Sequence, residues 1–333
     1  MIGPLLRIGV AGVGHFGRYH ALKVAASERA SLSGVFDTDH ERARTIGWEA
    51  GAPALDFAAL LAASDALVIA APAEAHHPLA AEALRAGKHV LVEKPAARHA
   101  EELAGLPQLA AEHGVCVRVG FNHRFHRAFQ QARRLVDSGA LGPLMYLRAR
   151  YGHGGRPGYG SEWRAQPERA GGGELTDQGV HLIDLARWFL GEFVVVDGFA
   201  HTYFWDMPVE DNGFMLLKTA ARQVAFLHAS CTEWKNTFCW ELIGRHGKLQ
   251  VDGLGGSYGV ERLTWYRMLP EMGPPETTIW EYPMPDNSWA TEMAEFIEDV
   301  RHGREPAPGL EDARAALAVV GKIYTACGHD HRA

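Results

Sequence analysis

The first third of the chain alternates short unbroken apolar runs with stretches whose apolar residues recur every three or four positions. That is the pattern of buried parallel strands separated by amphipathic helices. Residues 5–11, 31–36, 66–70, 89–92 and 115–119 predict strands, and residues 18–26, 57–63, 78–86 and 100–112 predict helices between them. The alternation implies a doubly wound parallel sheet. After about residue 124 the period changes to two. Residues 144–151, 194–202, 213–219, 223–231, 238–244 and 248–252 predict strands of a mainly antiparallel sheet, and residues 128–138, 175–190, 289–301 and 312–327 predict helices. The expected fold class is therefore α/β followed by α+β. A Rossmann-type domain occupies residues 1–123 and a second domain 124–333, with the last helix packing back on the first domain.

Composition narrows the possibilities. At 333 residues and 47% hydrophobic the chain has room for two globular domains. A formal charge of −7 without a dense Lys/Arg run argues against a nucleic-acid partner. Cys116, Cys231, Cys239 and Cys327 are scattered, with no CxxC pair, which suits a reducing cytoplasm. Residues 1–7 lack the charged region and apolar core of a signal peptide, and the longest apolar run, 66–73, is too short to span a bilayer, so no membrane association is expected. His76-His77 and the terminal His329 and His331 have no HExxH frame, so no designed metal site is expected.

Chemistry concentrates where strands end. The first strand runs into Gly12-Val13-Gly14-His15-Phe16-Gly17, a GxGxxG pattern between a strand and a helix. Gly12 permits the tight turn, Gly14 lets backbone approach a pyrophosphate, and Gly17 lets helix pack on strand. Phosphates would then rest on unpaired N–H groups at a helix N-terminus. Asp37 closes the second strand, where a carboxylate takes the ribose hydroxyls and repels the extra phosphate of NADP; the expected cofactor is NAD, although Arg42 and Arg44 stand nearby. Ala71-Pro72 and Glu93-Lys94-Pro95 end the third and fourth strands, on the edge where open parallel sheets bind ligands. The Lys94–Pro95 corner is a candidate cis peptide.

The second focus is Gly171-Gly172-Gly173-Glu174-Leu175-Thr176-Asp177, continuing through His181 and Asp184 to Gly191. Leu182, Leu185, Ala186 and Phe189 recur at helical spacing, while Asp177, His181, Asp184 and Trp188 share the opposite face. In an α-helix Asp177 and His181 would lie about 5–6 Å apart at Cβ. A solvated polar stripe would look the same in isolation.

Three segments in this order give the pattern a family. The Gly-rich start, Ala86-Gly87-Lys88-His89-Val90-Leu91-Val92-Glu93-Lys94-Pro95, and the stretch from Gly171 to Asp184 resemble those of the glucose–fructose oxidoreductase, inositol dehydrogenase and rhizopine-catabolism (Gfo/Idh/MocA) family, as does Gly120-Phe121-Asn122-His123-Arg124-Phe125. The resemblance covers essentially the whole chain. It implies a Rossmann domain plus a domain on a large open sheet whose outer face makes homodimers or homotetramers. It also implies Lys94, Asp177 and His181 as the catalytic group. Two positions depart from the family: Ala73 stands where many relatives carry Asn on the nicotinamide side, and His123 where Tyr or Arg is common.

The expected chemistry is oxidation of a secondary alcohol. His181, with an ordinary pKa of about 6.5, takes the hydroxyl proton; Asp177 orients it; Lys94 donates to the same oxygen. Gly12, Gly14, His15, Phe16, Gly17, Asp37, Ala71, Pro72, His76, Glu93 and Lys94 are the expected NAD contacts. The expected substrate is sugar-like (a sugar, cyclitol or sugar nucleotide), met by Asn122, His123, Arg124, Arg156, Tyr159, Trp163, Arg164 and Asp184. Arg156 and Arg164 have an alternative fate in pairing with acids such as Glu162 and Glu168, and Asp184 in a structural ion pair. A glycosidase that oxidises C3 transiently with retained NAD, and a non-enzymatic NAD-binding regulator, are the competing functions.

Overall fold

The computed structural model describes residues 4–329; Met1-Ile2-Gly3, where the reading for a leader begins, and His331 lie outside them. The chain divides into two compact units, one formed by residues up to 121 with 289–315, the other by 122–288 with the chain from 316 on.

The first unit runs β1 (Leu6–Ala11), α1 (His15–Ala25), β2 (Ala30–Phe36), α2 (His40–Ala50), α3 (Phe57–Ala63), β3 (Ala66–Ile69), α4 (Ala73–Arg85), β4 (His89–Glu93), α5 (Leu106–His113) and β5 (Val117–Gly120). Its five strands pair in parallel in the order β2-β1-β3-β4-β5. The strands are short and mostly apolar because helices cover both sheet faces, leaving Ile8, Val10, Val68 and Leu91 fully buried. Strand order reverses between β1 and β3, which places the ligand crevice of such sheets at the ends of those strands.

Local chemistry explains where this unit departs from its apolar pattern. The predominantly polar α2 gave no sequence signal; it is held by Asp39, whose side chain caps the Arg42 N–H, and by Gly51 in a left-handed conformation at its end. The helix expected over 100–112 is broken. A 3₁₀ turn (Ala100–Leu103) precedes Gly105, whose φ of 85° cannot continue a right-handed helix, and α5 starts afresh after it.

The boundary also differs from the expected 123/124 division. Met293, Phe296 and Ile297, on the helix Ser288–His302, belong to the core of Ile8, Val10, Val24 and Val35. Asp299 on that helix receives Arg118 of β5 in a buried ion pair, with Nε–Oδ2 2.8 Å and Nη2–Oδ2 2.5 Å. The final helix, Leu310–Cys327, begins in the first unit but belongs to the second from residue 316, where Tyr324 donates to Glu210. Period alone could not show this, because apolar spacing says that a helix is half buried without saying against what.

The second unit contains α6 (Arg127–Asp137), β6 (Leu144–Gly152), α7 (Pro167–Ala170), α8 (Val180–Leu190), β7 (Phe193–His201), β8 (Asn212–Thr219), β9 (Val224–Ser230), β10 (Thr237–Gly244), β11 (Gly247–Asp252), β12 (Glu261–Arg267) and β13 (Glu276–Tyr282). Eight strands form one sheet in the order β13-β12-β11-β10-β6-β9-β8-β7, antiparallel except for the parallel pair β6–β9. Strands β12 and β13 escaped the sequence reading. β13 lies at the edge and buries none of its residues, so no alternation marks it. On the covered face Trp240 meets Phe189 of α8 (ring centroids 4.7 Å) and Phe129 of α6 (5.2 Å). The opposite face leaves Tyr146, Phe199, Leu216 and Phe226 exposed.

Candidate active site

At the end of β1, Gly12 has φ +83°, and a Cβ on it would stand 2.5 Å from the Ala71 nitrogen. A Cβ on Gly17 would lie 1.7 Å from the Gly12 carbonyl oxygen, so helix and turn can close only on hydrogen. Gly14 is different: nothing stands within 4 Å of its Cβ position. Packing does not require a glycine there. The open space is what a backbone approached by a pyrophosphate needs. No side chain caps α1, whose first turn starts at exposed His15 and half-buried Phe16, and no acid lies in that turn. Its N–H groups are thus suited to an anion.

Asp37 is buried at the end of β2 and accepts from Val13 N and Asp39 N, each at 2.9 Å, with Arg42 Nη1 at 3.3 Å. The ribose-type carboxylate therefore stands beside the turn. These residues fit a dinucleotide.

The corners after β3 and β4 are tied by His76: Nδ1 lies 2.7 Å from the Pro95 carbonyl oxygen and Nε2 2.7 Å from that of Ala71. Burial pushes this imidazole below the ordinary histidine range despite both carbonyls. The Lys94–Pro95 bond is cis. Glu93 is buried, with Oε1 2.7 Å from His20 Nε2 and Oε2 accepting from Lys94 N at 3.2 Å. Burial alone would raise its carboxyl; the bond and charge of His20, with Lys94 and His76, hold it below the usual carboxylate range. Thus Glu93 and His76 stiffen the corner that carries Lys94, itself half buried. In this unit Ala71 and Pro72 stand at the N-terminus of α4, where the expected edge lies.

In the second unit the expected helix over 175–190 is corrected at its start. Leu175–Gly179 is a π-helical turn, and only from Val180 does α8 run regularly to Leu190. Single π turns inside α-helices are frequent at functional sites. Asp177 sits in the π turn, half buried, with Oδ2 3.4 Å from Arg164 Nε. His181 is buried in the first turn of α8.

Two of the three glycines before the turn answer to Glu210, which sequence reasoning missed, and to its donor Tyr324. Glu210 Oε1 accepts from Leu175 N (2.9 Å) and Tyr324 Oη (2.7 Å), and its Oε2 from Gly173 N (3.0 Å). A Cβ on Gly173 would lie 2.0 Å from the Glu210 carbonyl oxygen, and one on Gly172 2.0 Å from Tyr324 Oη. Burial raises the Glu210 carboxyl to about 7 against the pull of its donors. Its only sequence signal was an acid pair, Glu210-Asp211, between strands, which also reads as a solvated loop.

The residues expected around substrate separate into groups. Arg124 grips Asp184 with both ends of its guanidinium, at 2.8 and 2.6 Å, the ion pair named as the alternative fate of Asp184. His123 stacks on His181. Asn122 donates to Ser288 Oγ at 3.0 Å. Tyr159 is buried and donates to Glu174 Oε1 at 2.8 Å, and its phenol is pushed far up, by burial first and then by the charge of Glu174. Glu174 also has His153 Nε2 at 3.6 Å. Burial would lower His153, but Glu174 keeps it raised. Arg164 lies over the half-buried Trp163 ring (4.5 Å) as well as beside Asp177. Arg156 is exposed and engages Glu162 at 2.7 and 2.5 Å, the acid-paired alternative.

Residues 6–121 match the model of an oxidoreductase family with an NAD-binding Rossmann fold, and residues 129–250 match the Gfo/Idh/MocA C-terminal domain. The chain belongs to the Gfo/Idh/MocA family. Among relatives of this Gfo/Idh/MocA oxidoreductase, dTDP-3,4-didehydro-2,6-dideoxy-alpha-D-glucose 3-reductase of Streptomyces violaceoruber is 34% identical over 251 residues, 74% of this chain and 72% of that protein. The solved UDP-N-acetylglucosamine 3-dehydrogenase of Acidithiobacillus ferrooxidans superposes with a TM-score of 0.83 at 26% identity, covering 97% of this chain and 98% of its own. GenD2 from gentamicin A biosynthesis, in complex with NAD, superposes with a TM-score of 0.84 at 27% identity, over 98% of this chain and 95% of its own. Among the described residues no helix of this family member is long and apolar enough to cross a membrane.

Proposed function

We propose that the protein is an NAD-dependent dehydrogenase that oxidises, or in reverse forms, a secondary alcohol on a sugar, cyclitol or sugar nucleotide. The observation that carries the reading is the buried His181 following Asp177 in a π turn, in a chain that also holds an open glycine cradle and the Lys94 corner. Gly12, Gly14 and Gly17, the N-terminus of α1 at His15 and Phe16, Asp37, and the Ala71-Pro72 and Glu93-Lys94 corners would hold NAD, which when bound accepts or returns the hydride. His181 takes the alcohol proton on its imidazole, Asp177 orients that ring, and Lys94 Nζ donates to the oxygen as negative charge grows there. Asp37 favours NAD over NADP by charge, with Arg42 partly offsetting it.

Two of the relatives named above, the dTDP-3,4-didehydro-2,6-dideoxy-alpha-D-glucose 3-reductase and the UDP-N-acetylglucosamine 3-dehydrogenase, are named for nucleotide-linked sugars, which supports a sugar-like substrate. Arg164 and Trp163 are the side chains we assign to its ring, by donor fork and stacking face. A screen of sugars, inositols and nucleotide sugars with NAD, read at the absorbance of NADH, tests this. One class should reduce NAD stoichiometrically. Glycoside cleavage without net NADH, or no turnover in any class, would overturn it.

We also assign the outer face of the large sheet to homo-oligomer formation. On β8 and β9 Leu216 and Phe226 are paired neighbours, both about half exposed. Aromatic and aliphatic side chains in adjacent register on an open face mark an interface. Phe226→Asp should shift the mass measured by analytical ultracentrifugation to the monomer, and an unchanged mass would refute the assignment. The cysteines, all thiols, fit a cytoplasmic location.

A further inference from the structure

The buried face of α4 includes His76, Ala80, Ala83 and Leu84, so a histidine stands where helical spacing calls for an apolar residue. Only 2% of it is exposed, and a polar ring at that depth needs partners for both nitrogens. Its two partners are of one kind. Nδ1 lies 2.7 Å from the Pro95 carbonyl oxygen, just past β4, and Nε2 lies 2.7 Å from the Ala71 carbonyl oxygen, just past β3. A carbonyl oxygen can only accept. A neutral imidazole donates from one nitrogen and carries a lone pair on the other, whereas an imidazolium donates from both. Both contacts can therefore be hydrogen bonds only while the ring is charged. In the neutral ring one lone pair faces a carbonyl lone pair, and that corner must let go.

The surroundings of the ring pull in both directions. Burial opposes the proton and is the largest influence; the positive end of α4, where His76 stands, opposes it too. The two carbonyls favour the proton, as do the carboxylates of Glu93 at the end of β4 and Glu74 on α4 itself. Lys94, and His20 from α1, act on Glu93 in the same sense as His76 does, so the carboxylate stays ionised beside the ring. The Ala71 corner also backs the glycine turn, because a Cβ on Gly12 would stand 2.5 Å from the Ala71 nitrogen. One ring thus joins the nucleotide cradle, the end of β3 and the corner that carries Lys94.

We propose that His76 is a proton-operated clamp: the charged ring ties the ends of β3 and β4 together, the neutral ring releases one of them, and His76 is thereby a positioning residue for Lys94. Its importance for turnover rests on the dehydrogenase reading; the clamp itself does not.

The test is a pH titration of the full-length protein, without NAD or substrate, followed by NMR of the histidine ring nitrogens, the Ala71 and Pro95 carbonyl carbons and the Lys94 amide. The His76 signals are assigned from His76→Gln. At the acid end of the range from about pH 5 to about pH 8, both His76 nitrogens should carry hydrogen. As the pH rises one nitrogen should lose it, and one carbonyl carbon and the Lys94 amide should shift at the same midpoint. In His76→Gln, whose side-chain amide is uncharged throughout, those shifts should be absent. A ring that keeps one protonation state across the range overturns the proposal. So does a ring that titrates while both carbonyls or Lys94 stand still, and neither result requires the variant to fold. With a substrate in hand, kcat/KM of the native protein relative to His76→Gln should be about tenfold larger at the acid end than at the alkaline end, because a misplaced donor costs rate. A ratio constant with pH, which a merely structural His76 would give, overturns the positioning role. A clamp that titrates as expected in a protein that turns over no sugar would support the clamp and remove the dehydrogenase.

Discussion

Lys94→Ala and His181→Ala should each lower kcat by about 10²–10⁴, while isothermal titration shows NAD still binding. The size follows from the step that the proposed mechanism gives each group. Without His181 the alcohol proton has only water to receive it, and without Lys94 the growing alkoxide loses a charged donor. If both act on one oxygen, the double variant should be little worse than the poorer single variant, because groups that work as a unit lose their function together. Losses that multiply would place the two side chains in separate steps. Near-native activity of either variant on the true substrate would remove it from the catalytic group.

The second large effect concerns stability. Asp299→Ala should lower the unfolding free energy by about 3–5 kcal/mol, read as a fall in the urea midpoint. Arg118 and Asp299 are both almost fully buried, and removing the carboxylate leaves a guanidinium inside the first unit without its main counter-charge. Arg118 also donates to the Ala307 carbonyl oxygen at 3.0 Å, so the segment that follows the helix depends on the same side chain. A change below about 1 kcal/mol, the scale of an exposed pair, would show that water reaches the guanidinium.

This ion pair also marks what could be read from the chain alone. The strands of the first sheet were legible because each is an apolar run between helical segments. The dinucleotide turn was legible because its glycines answer distinct steric demands, of which Gly12 and Gly17 meet backbone and Gly14 meets open space. The return of Ser288–His302 to the first unit was not legible, since Phe296 and Ile297 would look the same against any apolar surface. At the proposed site, Lys94 stands after a strand and His181 on a helix, as their spacing in the sequence implied. Glu210 was missed because a carboxylate that satisfies backbone N–H groups from a distant loop leaves no periodic trace. The stacking of His123 on His181 lies beside the Arg124–Asp184 ion pair, a contact 60 residues apart in sequence that no local period records. Tyr159, read as a binding aromatic, is buried and donates to Glu174.

The π turn at Leu175–Gly179 gives the second unit a form of modularity. A regular α-helix fixes the azimuth of every residue relative to every other, so moving one polar side chain would drag the apolar stripe of Leu182, Leu185 and Phe189 out of register with the sheet. A widened turn breaks that indexing. The direction of Asp177 is thus set apart from the stripe below, while Glu210 and the buried Leu175 fix the turn itself.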